Sequence, residues 1–374
     1  METVMPTSGL EGVVAGESAI CQIDETTSSL RYRGYLVEEL AEQASFEEVA
    51  YLLLHHDLPS AADLRVWRAE LERAKPLPNL LRRFLQTVPS SAHPMDILRT
   101  AISFLGMTDP DNNNPSHEDN IRKATSLIAK IPLLISWAIQ ARKGRSPLPP
   151  IPQQSYAGDL LYLLTGTIND DKARELDISL NLYAEHEFNA STFAARVTTS
   201  TLADLYGGIT AAIATLKGPL HGGANEAVAV MLTTIEAPEK TQSWIHARLA
   251  EKERIMGFGH RVLKQEDPRT TIMKRRAEGL SQKLKDTRWY EMAETIEQTM
   301  KEEKGLHPNL DFYTAVVYLL CKIPIDAFTP IFVASRMTGW CAHIIEQQDH
   351  NRIIRPRAAY IGPLSREFIP LHCR

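Results

Sequence analysis

Three short segments hold side chains suited to acid–base and anion-binding chemistry, and in each one glycine or proline interrupts a helical pattern. The first is Lys217-Gly-Pro-Leu-His221-Gly-Gly-Ala-Asn-Glu226. A helix stops at Gly218-Pro219 and a new apolar-periodic helix starts near Ala224, so His221 falls at or just before a helix N-terminus. The positive end of the dipole there disfavours imidazolium, which leaves a neutral histidine able to donate a hydrogen bond at pH 7. A lone histidine is more often a cap or packed in the core. The glycine pair Gly222-Gly223 weighs against that, because it lets a ligand approach the backbone.

The second segment, Ile255-Met-Gly257-Phe-Gly259-His260-Arg261-Val-Leu-Lys264-Gln-Glu-Asp267-Pro-Arg269, is a glycine-rich turn with one histidine and three cations. It lacks the third glycine and preceding strand of a dinucleotide fingerprint, and no Gly-Lys-Ser/Thr follows, so neither a Rossmann site nor a P-loop is supported. Backbone amides beside Arg261 and Lys264 suit phosphate groups, and a solvated basic turn is the even alternative. The third segment, Gly305-Leu-His307-Pro-Asn309-Leu-Asp311-Phe-Tyr313, leads into the apolar run Ala315 to Leu320. Asp311 near that helix start reads by itself as a cap or first-turn acid. Beyond it, Arg336 lies inside the apolar helix Phe328 to Ile345 and Arg355 precedes Pro356 in an Arg-rich tail. An arginine on an apolar helix needs an anionic partner if it is buried; otherwise it reaches to solvent.

The elements that must position these groups are almost all helices. Residues from about Gly12 to Arg33 alternate loosely enough for one or two short strands, and nothing later reads as a strand. From Tyr35 onward apolar residues recur at helical spacing; one face runs through Leu202, Leu205, Tyr206, Ile209, Ile213 and Leu216. The Gly- and Ala-rich stretch Ala203 to Ile213 permits close helix approach, as at a subunit contact. The polar stretch Asp109 to Asn120 and the proline-rich stretch Gly144 to Gln154 read as surface loops rather than linkers, because strong helical patterns flank both. At 374 residues two core regions are expected. A composition 44% hydrophobic and 23% charged is that of an ordinary globular protein. The net charge of −5 argues against nucleic acid and implies that an anionic substrate is met by local Arg and Lys clusters. Cys21, Cys321, Cys341 and Cys373 are scattered without zinc or disulfide spacing, which fits a reducing cytosol. Met1 to Gly9 has no signal-peptide pattern, and the most apolar stretch, Leu127 to Ile139, is interrupted by Lys130 and Pro132 and reads as a buried helix rather than a membrane span.

In this order the segments resemble the citrate synthase family, from about His186 to Tyr360 and more weakly through the N-terminal part. The motifs are Gly-Pro-Leu-His-Gly, Gly-Phe-Gly-His-Arg followed by Asp-Pro-Arg, Asn-Leu-Asp, Ser-Arg-Met-Thr-Gly and Arg-Pro-Arg. The resemblance implies an all-α fold: a large helical domain (1–221 and 322–374), a smaller mobile one (222–321), short N-terminal strands, and the active site between the two. It implies that His221 polarises the thioester carbonyl of acetyl-CoA, Asp311 removes a methyl proton, and His260 hydrogen-bonds the ketone oxygen of oxaloacetate. A weak carbon acid needs such a positioned base and donors aimed at the developing oxyanion. By the same resemblance Arg269, Arg336 and Arg355 hold the carboxylates, His186 of His-Glu-Phe-Asn adds a contact, and Arg261 and Lys264 meet the CoA phosphates. The residue matching Arg355 crosses a dimer interface, so a homodimer or higher homo-oligomer is expected. No metal or redox cofactor, nucleic acid or membrane is expected.

Leu263 stands where relatives often carry an aromatic, and Phe188 replaces a more usual small or polar residue; both bear on the acyl and adenine pockets rather than the chemistry. The short N-terminus, without the extra domain of NADH-regulated relatives, implies no NADH control. The nearest alternative is 2-methylcitrate synthase acting on propionyl-CoA, which differs by one methylene, worth about 1–3 kcal/mol of discrimination. Two alternatives of other classes are a zinc hydrolase using His221, His260 and Asp311, which no HExxH-like pair supports, and a non-catalytic helical assembly protein.

Overall fold

The computed structural model describes residues 8–10, 12–24, 27, 29–151, 154–259 and 267–374. Three antiparallel strands, β1 (Cys21–Asp24), β2 (Ser29–Tyr32) and β3 (Tyr35–Leu36), open the fold in the order β1-β2-β3, with Cys21 opposite Tyr32 and Tyr32 opposite Tyr35. The third strand was not expected, since the helical pattern was read from Tyr35. Arg33 and Gly34, both at positive φ (48° and 91°), form a two-residue turn whose twist returns Tyr35 onto Tyr32.

Sixteen α-helices follow among the described residues. The first group is α1 (Val37–Gln43), α2 (Phe46–His55), α3 (Ala61–Ala74), α4 (Asn79–Leu85), α5 (Pro94–Thr108), α6 (His117–Ala141), α7 (Tyr156–Thr165), α8 (Asp170–Tyr183), α9 (Ala190–Thr199) and α10 (Leu205–Leu216). The second is α11 (Ala224–Ile235), α12 (Pro238–Ala250), α13 (Pro268–Leu284), α14 (Arg288–Lys304) and α15 (Leu310–Leu320); α16 (Phe328–Asp349) closes the fold. Local chemistry sets many of the starts. Ser45 with Glu48 and Ser60 with Asp63 form capping boxes on α2 and α3, and Pro268 opens α13 behind the Asp267 cap. The α10 pattern starts later than its apolar spacing suggested: Asp204 caps the helix through the Gly207 N–H (2.9 Å), leaving Leu202 outside, exposed, at φ 66°.

Helix α16 is buried on nearly every side and runs through the core, packed by α2, α6, α8, α9 and α10. Gly208 is needed there, because a Cβ would come within 2.6 Å of Thr199 and 2.8 Å of Ile344, so this glycine serves packing within the chain. The apolar Leu127–Ile139 stretch lies inside α6, whose 25 residues have the length of a membrane span but whose apolar window is 72% buried in the protein. Residues 109–116 form the loop before α6 and 142–151 lie in the loop after it, whereas His117 to Asn120, expected in the first loop, are the first turn of the helix behind the Ser116 cap. Helices α11 to α15 pack mainly on one another and meet the rest through α8, α1 and α16. The apolar core continues across that junction, and the site lies along it.

Candidate active site

Asn309 determines what Asp311 is free to do. Its Oδ1 accepts the Asp311 N–H (3.1 Å) and caps α15, so the Asp311 carboxylate is not consumed as the cap. Instead Tyr183, the last residue of α8, donates its hydroxyl to Asp311 Oδ1 at 2.6 Å. Burial pushes the Asp311 carboxyl up to about 6, against the Tyr183 hydrogen bond and the Arg269 charge, which pull it down. Such a carboxylate is ionised at neutral pH and is a stronger base than an ordinary surface acid.

His221 stands just before α11, as its sequence predicts. Its N–H donates to the Gly218 carbonyl and that of Gly222 to Leu216, both at 2.9 Å; a Cβ on Gly222 would come to 2.5 Å of the Leu216 carbonyl. Ring Nε2 lies 2.8 Å from Ser191 Oγ and accepts the Ser191 N–H at 3.3 Å. A backbone N–H only donates, so Nε2 carries the lone pair and Nδ1 carries the proton of the neutral ring. Burial, then the Arg336 charge, lowers the His221 pKa to about 4. The imidazole is therefore neutral, as expected, but desolvation and a neighbouring cation are the main causes. Ser191 is itself fixed: its Oγ accepts from the Trp340 indole (3.1 Å), and Asn189 caps α9 beside it.

Phe332 joins the two halves. Its ring centroid lies 6.4 Å from that of His221 and 4.6 Å from that of Tyr183, and the Arg336 guanidinium sits 4.9 Å from it. Arg336 is 2% exposed, so of the two alternatives its sequence left open, burial holds. Its Nε donates to the Tyr183 carbonyl at 2.7 Å, the one hydrogen bond it makes among the described residues, and desolvation lowers its pKa. Arg269, 5% exposed, is forked onto Asp267 through Nε–Oδ1 (3.0 Å) and Nη2–Oδ2 (2.8 Å), which raises its pKa despite burial. Tyr32 of β2 donates to the Leu182 and Glu185 carbonyls and so anchors the end of α8 from beneath.

The glycines of the motifs have geometric reasons. A Cβ at Gly339 would overlap Glu185 Oε2 and the Ala184 carbonyl, so the glycine lets α16 lie against the 184–189 loop. Gly257 and Gly259 adopt φ 85° and 83°, and their strand-like stretch is pinned to residues 307–309: Asn309 N–H to Gly257 O (2.9 Å) and Asn309 Nδ2 to Gly259 O (3.1 Å). The start of the second segment is thus fastened two residues from Asp311.

The structure brings together His221, Asp311, Arg269 and Arg336. His186 lies on the 184–189 loop between Tyr183 and Ser191, partly buried, with its carbonyl accepting from Asn189. Arg355 is set apart, exposed on the extended segment 350–374, which is tied to Ser200 through Asn351 and Ile354. His260, Arg261 and Lys264 lie outside the described residues. Sequence reasoning missed Tyr183, Ser191, Trp340 and Tyr32 as parts of the site, and it left Asp267 without a role. Tyr183 and Ser191 flank the His-Glu-Phe-Asn motif, the only signal that pointed to them. Among the described residues, no three His, Cys, Asp or Glu side chains cluster as a metal-ligand set.

The family model "Citrate synthase, C-terminal domain" matches residues 9–357. The chain belongs to the citrate synthase family. It is 46% identical to "Citrate synthase 2" of Bacillus subtilis, over 98% of this chain and 99% of the relative. It is 41% identical to "2-methylcitrate synthase 2" of Corynebacterium glutamicum, over 98% and 97%. Among solved structures, the citrate synthase of Thermoplasma acidophilum, described as a ternary complex with carboxymethyl coenzyme A and oxaloacetate, superposes with a TM-score of 0.90 at 33% identity, covering 98% of each chain. As a member of the citrate synthase family this chain is an acyltransferase, and the helical fold expected from its motifs is the one found.

Proposed function

We propose that this chain condenses acetyl-CoA with oxaloacetate and then hydrolyses citryl-CoA to citrate and CoA, without a metal or redox cofactor. The observation that carries the reading is a carboxylate with a pKa near 6 and a neutral imidazole, joined through Tyr183 and Phe332 beside two buried guanidiniums. Asp311 takes a proton from the acetyl methyl while Nδ1–H of His221 stabilises the oxygen of the forming enolate. The enolate carbon bonds to the ketone carbon of oxaloacetate, whose oxygen is held by His260 and gains a proton. Water then cleaves the thioester and CoA leaves as the thiol.

Arg336, Arg269, Arg355 and His186 hold the dicarboxylate in this reading, and Arg261 and Lys264 meet the CoA phosphates. Arg269 is neutralised by Asp267, so a substrate carboxylate joins or displaces that fork. The exposed Arg355 is supplied to the site of a second copy in a homodimer. The part spanning 222–321 closes on the remainder when oxaloacetate binds, which excludes water and protects the enolate. Three buried free thiols, Cys21, Cys321 and Cys341, fit a reducing compartment such as the cytoplasm.

The test is oxaloacetate-dependent thiol release from acetyl-CoA by the wild type and by Asp311→Asn, whose amide keeps the shape but cannot take a proton. Turnover in the variant should fall roughly 100-fold or more; near-normal turnover would remove Asp311 as the base. Relatives of comparable identity carry the name 2-methylcitrate synthase, which favours propionyl-CoA as the second substrate to compare. A larger kcat/KM with propionyl-CoA would reassign the substrate without altering the residue roles.

A further inference from the structure

Tyr183 touches two parts of the site with different atoms. Its hydroxyl meets Asp311 Oδ1 at 2.6 Å, and its backbone carbonyl accepts Arg336 Nε at 2.7 Å. The side chain is 3% exposed, and its ring packs edge-on against Phe332 with centroids 4.6 Å apart, so the hydroxyl has little freedom to turn away. We propose that Tyr183 is the positioning residue of the proton-abstracting carboxylate: it holds Asp311 Oδ1 and leaves Oδ2 as the oxygen that takes the substrate proton. This rests on the reading of Asp311 as the base.

The physical argument has three parts. A carboxylate free to rotate offers either oxygen, and a hydrogen bond to one of them selects the other for the substrate. A donor to the ionised form also favours that form, so the hydroxyl opposes the desolvation that would otherwise carry Asp311 further up. Finally, burial and the Asp311 charge hold the phenol well above its ordinary pKa, so across the working range Tyr183 remains a donor. Among the described residues, the other groups acting on Asp311 are Arg269 and Asp267 at the start of α13 and Arg336 of α16; Tyr318 and the Thr314 hydroxyl, both of α15, act on Tyr183. The charges around Asp311 do not change when only the hydroxyl is altered.

Tyr183→Phe removes the hydroxyl and keeps both the ring on Phe332 and the carbonyl on Arg336. The acidic limb of kcat/KM should move up by about one to two pH units, the usual worth of a hydrogen bond to a charged group. Activity at the acid end then falls roughly tenfold or more and is recovered on the alkaline plateau, while the oxaloacetate KM stays within about twofold because the Arg336 contact is made by backbone. A purely structural role would lower activity at every pH alike. Replacing Tyr183 by 3-fluorotyrosine, a nearly isosteric and stronger donor, should move the limb the opposite way, and it serves if the Phe variant does not fold. An unmoved limb in whichever of these variants folds, with Asp311→Asn inactive, overturns the proposal. An active Asp311→Asn overturns instead the assignment of Asp311 on which it rests.

Discussion

The helix-borne site and the C-terminal segment carry candidate functional residues of opposite physical character. In the site, Asp311, His221, Arg336 and Arg269 are each held by a partner within the chain: Tyr183, Ser191, the Tyr183 carbonyl and Asp267. Residues 350–374 expose Arg355 together with Ile361 (96%), Leu364 (99%) and Phe368 (79%), a run of large apolar side chains uncovered in the single chain. The fold by itself thus assembles the proposed base and the proposed hydrogen-bond donor. It leaves the proposed anion-binding charge incomplete, because Arg269 is neutralised by Asp267 and Arg355 stands outside. Large apolar side chains left exposed are what a subunit interface covers, in keeping with the proposed second copy.

The largest effect that would test this contrast is on stability. Asp267→Ala strands the Arg269 guanidinium in a buried site and removes the α13 cap, and it should cost about 3–5 kcal/mol in denaturant unfolding. A loss below about 1 kcal/mol would mean that water reaches Arg269 freely. Next comes pH. The Asp311 carboxyl is raised from 3.8 to about 6, so its stabilising contribution is present below pH 3.8 and lost as pH rises through 6. Asp311→Asn should therefore gain on the wild type by about 2–3 kcal/mol between pH 3.5 and pH 8. His221, depressed from 6.5 to about 4, works oppositely: its contribution is present above 6.5 and lost as pH falls through 4. It is common to both proteins and cancels in the difference. A pH-independent gap between the two melting curves would contradict the raised carboxyl.

Arg336 separates binding from stability within the site. It is buried without a carboxylate hydrogen bond, so Arg336→Met should raise the oxaloacetate KM roughly 30-fold or more without the stability loss of Asp267→Ala. Unchanged KM would place the dicarboxylate elsewhere. The smallest structural effect belongs to Arg355→Ala, which should leave unfolding within about 0.5 kcal/mol of the wild type yet abolish turnover. Mixing it with Asp311→Asn under verified subunit exchange should restore about a quarter of the wild-type sites, since half the dimers are mixed and one site in each is whole. No recovery would put Arg355 in its own chain's site or in none.

The sequence alone determined the local features. Apolar spacing set the helices, Gly218-Pro219 the stop before His221, and the Asn309 and Asp267 side chains the starts of α15 and α13; these depend on residues within a few positions of one another. The five motifs likewise fixed the family. What sequence could not give was the state of each group. Asp311 is tuned by Tyr183 from 128 positions away, and His221 is oriented by Ser191 from 30. Asp267-Pro-Arg269 is contiguous, yet spacing does not say whether that arginine faces its own aspartate or a ligand. Nor could it show that Arg336 is buried, because an arginine on an apolar helix can reach out as well as in. Desolvation and charge depend on what the finished fold packs around a side chain, so only the tertiary structure decided which carboxyl is raised, which imidazole is neutral, and which cations are already paired.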